Sequence, residues 1–208
     1  MLYTTETISF YNLKKILGFF DRLFFKKNIK TNYKYLNIGC GKNIISNFEN
    51  VDFYSLKFWD NKKVTRVDLN YRLPFFDNSF EGCICEHVLE HFSDDEVIFI
   101  LKEVRRVIKK KAIFRIIVPD LKKYIDYYNS KNKNTEFSKF ILKADAISHL
   151  TQKFGHKTCF DFEKLKFLLK KSGFNNIFKK SFKSGDNKLN KFDTSGRNSN
   201  SLYVEAKK

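Results

Sequence analysis

Proline, arginine and cysteine are scarce in this chain of 208 residues, and each shortage removes a class of function. Pro74 and Pro119 are the only prolines, and they precede Phe75 and Asp120. A Pro-Pro-aromatic turn that grips the exocyclic amine of a base is therefore absent, as is a Pro-Cys nucleophile for attack on a pyrimidine carbon. Cys40, Cys83, Cys85 and Cys159 show neither Cys-x-x-Cys spacing nor a secreted disulfide framework, so free thiols in a reducing cytoplasm are expected. No apolar run approaches the roughly 20 residues that span a membrane. Asp21 and Arg22 interrupt the N-terminal apolar stretches, which argues against a signal peptide. Charge is lopsided, with 40 basic residues against 23 acidic ones and a formal net charge of +17. Yet only Arg22, Arg66, Arg72, Arg105, Arg106, Arg115 and Arg197 are arginine, the side chain suited to bidentate phosphate recognition. Dispersed lysine reads as solvated surface, and nucleic acid is not an expected partner.

What is present is more specific. Tyr35 to Ile38 form an apolar strand that runs straight into Gly39-Cys40-Gly41. A strand entering Gly-x-Gly is how an α/β sheet offers bare backbone to a nucleotide, because glycine tolerates the tight turn and has no Cβ to hold a ligand off. Asp52 ends the next apolar segment, 48–51, and a carboxylate there can accept from both hydroxyls of a ribose. Asp68, followed by Leu69, ends a third strand over 64–68. A strand over 80–85 follows, then a helix over 94–109 with Ser93 and Glu96 as a capping box, then a strand over 112–118 stopped by Pro119. Helices over 120–128 and 136–150 flank a polar loop. A helix over 161–172, ended by Gly173, and strands over 176–182 and 201–206 complete an α/β chain without internal repeats. Residues 11–27 are apolar at helical spacing with basic residues between. They read as a basic amphipathic helix capping the sheet, the alternative being peripheral contact with a membrane surface.

The block from Leu73 to Phe92 contains Leu73-Pro74-Phe75, Asp77, Ser79-Phe80-Glu81 and then His87-Val88-Leu89-Glu90-His91. It resembles the class I S-adenosylmethionine-dependent methyltransferases, specifically the type 11 group. Phe160 to Leu165 and Leu168 to Phe174 are similar to the helix before that group's final hairpin. The resemblance implies a Rossmann-like fold: a mostly parallel seven-stranded sheet with an antiparallel last strand and helices on both faces. It implies S-adenosyl-L-methionine as cofactor, held by Asn37, Gly39, Cys40, Gly41, Asp52, Asp68, Leu69, Glu86 and His87. Asn37 stands where the group usually has an acid, and Asn43 where it usually has a third glycine. The link from Gly41 to Asp52 is too short for a full helix, so the first crossover helix should shrink to about a turn.

His87-Val88-Leu89-Glu90-His91 also matches the H-x-x-E-H pattern of zinc proteases. It begins at a strand tip, and no third carboxylate ligand follows on an obvious downstream helix, so no metal is expected. Displacement at a sulfonium methyl needs alignment in a dry site, with a general base when the acceptor is a hydroxyl. His156, His91 and Asp120 are the candidate catalytic residues. Residues 1–32 are expected to form a cap on a domain of residues 33–208, whose segment 119–160 is a lid-like insertion over the carboxyl ends of the strands. The expected function is methyl transfer to a hydroxyl of a small molecule or sugar in the cytoplasm, in the setting of cell-surface polysaccharide synthesis that the resemblance implies. A cofactor-binding protein without turnover and an RNA methyltransferase are the alternatives.

Overall fold

The computed structural model describes residues 28–53, 64–130, 137 and 139–208. Seven strands build one sheet: β1 (Tyr35–Ile38), β2 (Phe48–Asp52), β3 (Val64–Arg66), β4 (Phe80–Glu86), β5 (Ile108–Pro119), β6 (Asn176–Lys180) and β7 (Ser201–Lys207). Their order is β3-β2-β1-β4-β5-β7-β6. Pairs from β3 through β5 are parallel, and β7 runs antiparallel to both β5 and β6. The strand order reverses between β1 and β4, which opens a crevice at their carboxyl ends. The sheet is the one expected, and the β1–β2 crossover holds only turns, as its length required.

Among the described residues four α-helices accompany the sheet: α1 (Asp94–Val107), α2 (Leu121–Tyr128), α3 (Lys143–Gln152) and α4 (Phe162–Lys171). Ser93 and Glu96 close a reciprocal capping box on α1, and Asp161 caps α4 by accepting from the Lys164 amide at 2.8 Å. Val97, Leu101 and Val104 of α1 and Leu165 and Leu169 of α4 bury against Leu36, Cys83, Phe114 and Val204 on one face of the sheet. On the other face, Phe48, Ile84, Ile117 and Tyr203 lie beneath Leu189 and Phe192 of the segment between β6 and β7. That segment is fastened by Arg115, which is fully buried in β5. Its guanidinium donates twice to Asp193, both at 2.6 Å, and once to Glu205 at 2.8 Å.

Several boundaries differ from the sequence reading, each for a local reason. Helix α1 stops at Val107 because Ile108 already pairs with Phe80, and a bulge in β5 absorbs the lysines before Ile113. Strand β3 ends at Arg66, and Asp68 instead accepts from the Asn70 amide in a turn. The helix expected over 136–150 begins at Lys143. Phe137 is buried in ring contact with Tyr124 and Tyr127 of α2, and the chain has to turn after it before Asp145 can accept from the Leu142 amide and open α3. The helix expected over 11–27 lies outside the described residues. No described helix is long and apolar enough to cross a membrane.

Candidate functional site

Gly39 and Gly41 both sit in the left-handed region, with φ of 63° and 51°. A Cβ on Gly39 would lie 2.3 Å from Val88 Cγ2, so this glycine is what lets the chain beyond β4 close against the end of β1. At Gly41 nothing lies within 4 Å of the Cβ position, and the backbone faces open space. The Gly41 amide donates to Asp52 Oδ2 at 2.6 Å, which brings the acid at the end of β2 against the glycine turn. Cys40 between them is buried, and burial, followed by the nearby charge of Asp52, pushes its thiol up to about 12.

Asn37 and Asn43, the two departures from the pattern the sequence resembles, meet each other. Asn37 Nδ2 donates to the Asn43 carbonyl and to Asn50 Oδ1, both at 2.9 Å, while Asn50 ties down both the amide and the carbonyl of Ile45. An ionised acid at position 37 could not donate, so the amide suits a crossover this short. Asp68 is taken up by its turn, and Leu69 belongs to the main core. Glu86, at the end of β4, accepts from Thr194 at 2.7 Å through Oε2, whereas its Oε1 is buried with no hydrogen-bond partner.

Beyond β4 and β5 lies a cavity of about 480 Å³. Its walls include His87, Glu90, His91, Tyr124, His149 and His156, which gathers all four histidines of the chain. His87, at φ 54°, contacts Ser201 Oγ through Nε2 at 2.9 Å. His91 closes a 3-10 turn, Leu89–His91, so the H-x-x-E-H pattern forms no two-histidine helical face. The ring of His91 meets the His156 ring edge-on at 5.0 Å. Burial lowers its pKa, Glu90 opposes that, and His156 adds to it. His156 Nδ1 lies 2.6 Å from the Leu150 carbonyl, which can only accept, so Nδ1 is the donor and Nε2 is the nitrogen that a neutral ring offers as an acceptor.

Asp120, expected at the cleft floor, is absent from this wall. It is buried as the N-cap of α2, where it accepts from the Lys122 amide at 3.1 Å, and burial raises its pKa. Glu90 and His149 were not among the sequence candidates. Glu90 was visible only inside its motif, and His149 carried no local signal on α3. The two halves of the site are adjacent through consecutive residues: Glu86 faces Thr194, His87 enters the cavity, and Val88 packs on Gly39.

Residues 36–116 match the family model of a methyltransferase domain. The structure is similar to that of an S-adenosylmethionine-dependent methyltransferase from Archaeoglobus fulgidus, at 19% identity and a TM-score of 0.53, over 95% of this chain and 94% of that one. It is similar to another from Thermotoga maritima, at 16% identity and a TM-score of 0.53, over 94% of this chain and 97% of that one. A methyltransferase from Haloferax volcanii, solved in complex with the Trm112 methyltransferase activator, is similar at 10% identity and a TM-score of 0.51, over 88% of this chain and 85% of that one. No curated protein sequence matches the chain.

Proposed function

We propose that the chain is a class I methyltransferase of the type 11 group that uses S-adenosylmethionine, a reading supported by the family-model match over residues 36–116 and by the fold, and that its methyl acceptor is a hydroxyl of a small molecule or sugar. The acceptor enters the cavity beneath α2 and α3, so that the 119–160 segment serves as its lid. The observation that carries this reading is the cavity itself: an imidazole nitrogen that a neutral ring offers as an acceptor, in a partly buried site next to the strand ends that present the glycine turn.

The residues around the glycine turn fit the cofactor. Open space at Gly41, the Asp52 carboxylate beside it and the unpartnered Glu86 Oε1 offer room and two acceptors to a ligand rich in amine and hydroxyl donors. When bound, S-adenosylmethionine supplies a methyl group on a sulfonium whose departure leaves a neutral thioether. The rest falls to the chain. Asp52 holds ribose hydroxyls, Glu86 accepts from the polar end of the ligand, and the lid excludes water. A lowered pKa keeps His91 neutral at physiological pH, so that it or His156 can take the hydroxyl proton at a ring nitrogen.

Replacing His156 with Gln tests this. Cofactor affinity should stay within about 1 kcal/mol of wild type, while turnover on an acceptor found with methyl-labelled cofactor and fractionated extract falls about a hundredfold or more. Equal loss of binding and turnover would make His156 a structural residue. Cofactor binding with no labelled fraction at all would favour a binding protein without turnover.

A further inference from the structure

Glu90 is 1% exposed, lines the cavity, and neither of its carboxylate oxygens accepts a hydrogen bond; Oε1 lies 3.2 Å from His87 Nδ1, within ion-pair distance of that ring when it is protonated, and Oε2 has no such neighbour. A buried carboxylate in that condition calls for a positive partner. Two histidines converge on it. Ligand atoms of Glu90, His91 and His156 all lie within 4.8 Å of one another, although His156 comes from a different part of the chain, beyond α3. Each histidine is also anchored in a telling way. His156 gives Nδ1 to the Leu150 carbonyl, and the ring of His91 is held edge-on against the His156 ring at 5.0 Å. Fixing one ring nitrogen on a main-chain carbonyl, as at His156, and so turning the other toward a shared centre, is how proteins orient histidines that bind metal.

We propose that Glu90, His91 and His156 hold a divalent cation, and that two imidazoles with one carboxylate make it Zn²⁺. Three protein ligands leave a coordination position open, as catalytic zinc sites do. Lys139 and Arg197 on the same wall complement an anionic oxygen there. The motif alone pointed away from zinc because it supplied no third ligand. The structure supplies it from His156, and His87 is not in the set. The role of the cation rests on the hydroxyl reading: the imidazoles that can take the acceptor's proton in the metal-free protein become ligands when the cation is bound, and the acceptor oxygen at the open position then loses its proton to water. The binding of the cation does not rest on that reading.

The test uses the full chain purified without metal-chelating resin, stripped with EDTA and titrated with Zn²⁺ and, separately, Co²⁺. One metal per chain should bind, with the ring signals of His91 and His156 shifted by Zn²⁺ and broadened by Co²⁺ in the wild-type NMR spectrum. His156→Ala and Glu90→Gln should weaken Zn²⁺ binding by about a hundredfold or more. S-adenosylmethionine affinity, measured in parallel, should not change, so failure of the metal site and failure of the cofactor reading give different results. Absence of stoichiometric metal, undisturbed His91 and His156 signals, or full affinity in both variants would each overturn the proposal.

Discussion

Two glycines separated by one residue are required for different reasons, and substitutions should tell them apart. Alanine at Gly39 meets Val88 at 2.3 Å as well as an unfavourable φ, and strain and overpacking together should cost about 2 to 5 kcal/mol in denaturant unfolding. Alanine at Gly41 meets only the backbone strain, about 1 to 2 kcal/mol, yet it projects a methyl into the open space and should weaken S-adenosylmethionine binding more than it weakens the fold. Asp52→Ala should cost about 2 to 4 kcal/mol of cofactor affinity by calorimetry, from lost charge-assisted hydrogen bonds; unchanged affinity would remove Asp52 from the pocket. The glycines and the acid were legible in the sequence because turn chemistry and strand ends leave local marks. The work of Asn37 was not, since it depends on Asn43 and Asn50 coming into reach across a crossover. The thiols behave as their spacing suggested. All four are free, Cys83 and Cys85 are raised well above the ordinary range by burial, and Cys40 stands at about 12. Iodoacetamide at pH 8 should therefore label the folded protein slowly at these positions, by mass spectrometry, and rapidly once it is unfolded.

Helices α1 and α4 were legible as elements because each carries its own cap and an apolar stripe. The start of α3 was not legible, because it is decided by Phe137 reaching Tyr124 and Tyr127 on another helix. That aromatic group, with Ala146 and Leu150, forms a small cluster of its own apart from the main core. Phe137→Ala should therefore act locally. Its cost, about 3 to 5 kcal/mol for a buried phenylalanine, should appear as lost hydrogen-exchange protection in α2 and α3, while β4 and β5 keep theirs. Loss spread evenly over both regions would mean that the lid and the sheet unfold as one unit. Arg115 ties elements together on the opposite face of the sheet, holding the β6–β7 segment through Asp193 and β7 through Glu205. Removing it leaves two buried carboxylates without their guanidinium. Arg115→Ala should cost about 3 to 5 kcal/mol in denaturant unfolding, because breaking a buried pair leaves its charge uncompensated.

At the scale of the whole molecule, the strands themselves could be read from their apolar runs and the mostly parallel sheet was implied by the family resemblance, while the layer over the Arg115 face could not be read from the sequence: a polar, glycine- and asparagine-rich link carries no helical period to announce that it covers a sheet. The same distribution of side chains bears on what the net charge of +17 does. Arginine would be the natural phosphate contact, but the described arginines are largely committed inside the fold. Arg115 is buried on two carboxylates, Arg106 binds Glu103, Asp77 and two carbonyls, and Arg105 donates to the Gly173 carbonyl. Arg197 is exposed, but it lines the histidine cavity, where it can meet an acceptor. What remains for a polyanion is dispersed lysine, which attracts without fixing register. Single-stranded and duplex RNA should accordingly bind with a Kd weaker than about 1 µM at roughly physiological salt, as non-specific electrostatic contacts do. Titration by fluorescence anisotropy across a salt series checks this. Submicromolar binding with a steep salt slope would mean that the lysines form a coherent groove and that the acceptor is an RNA.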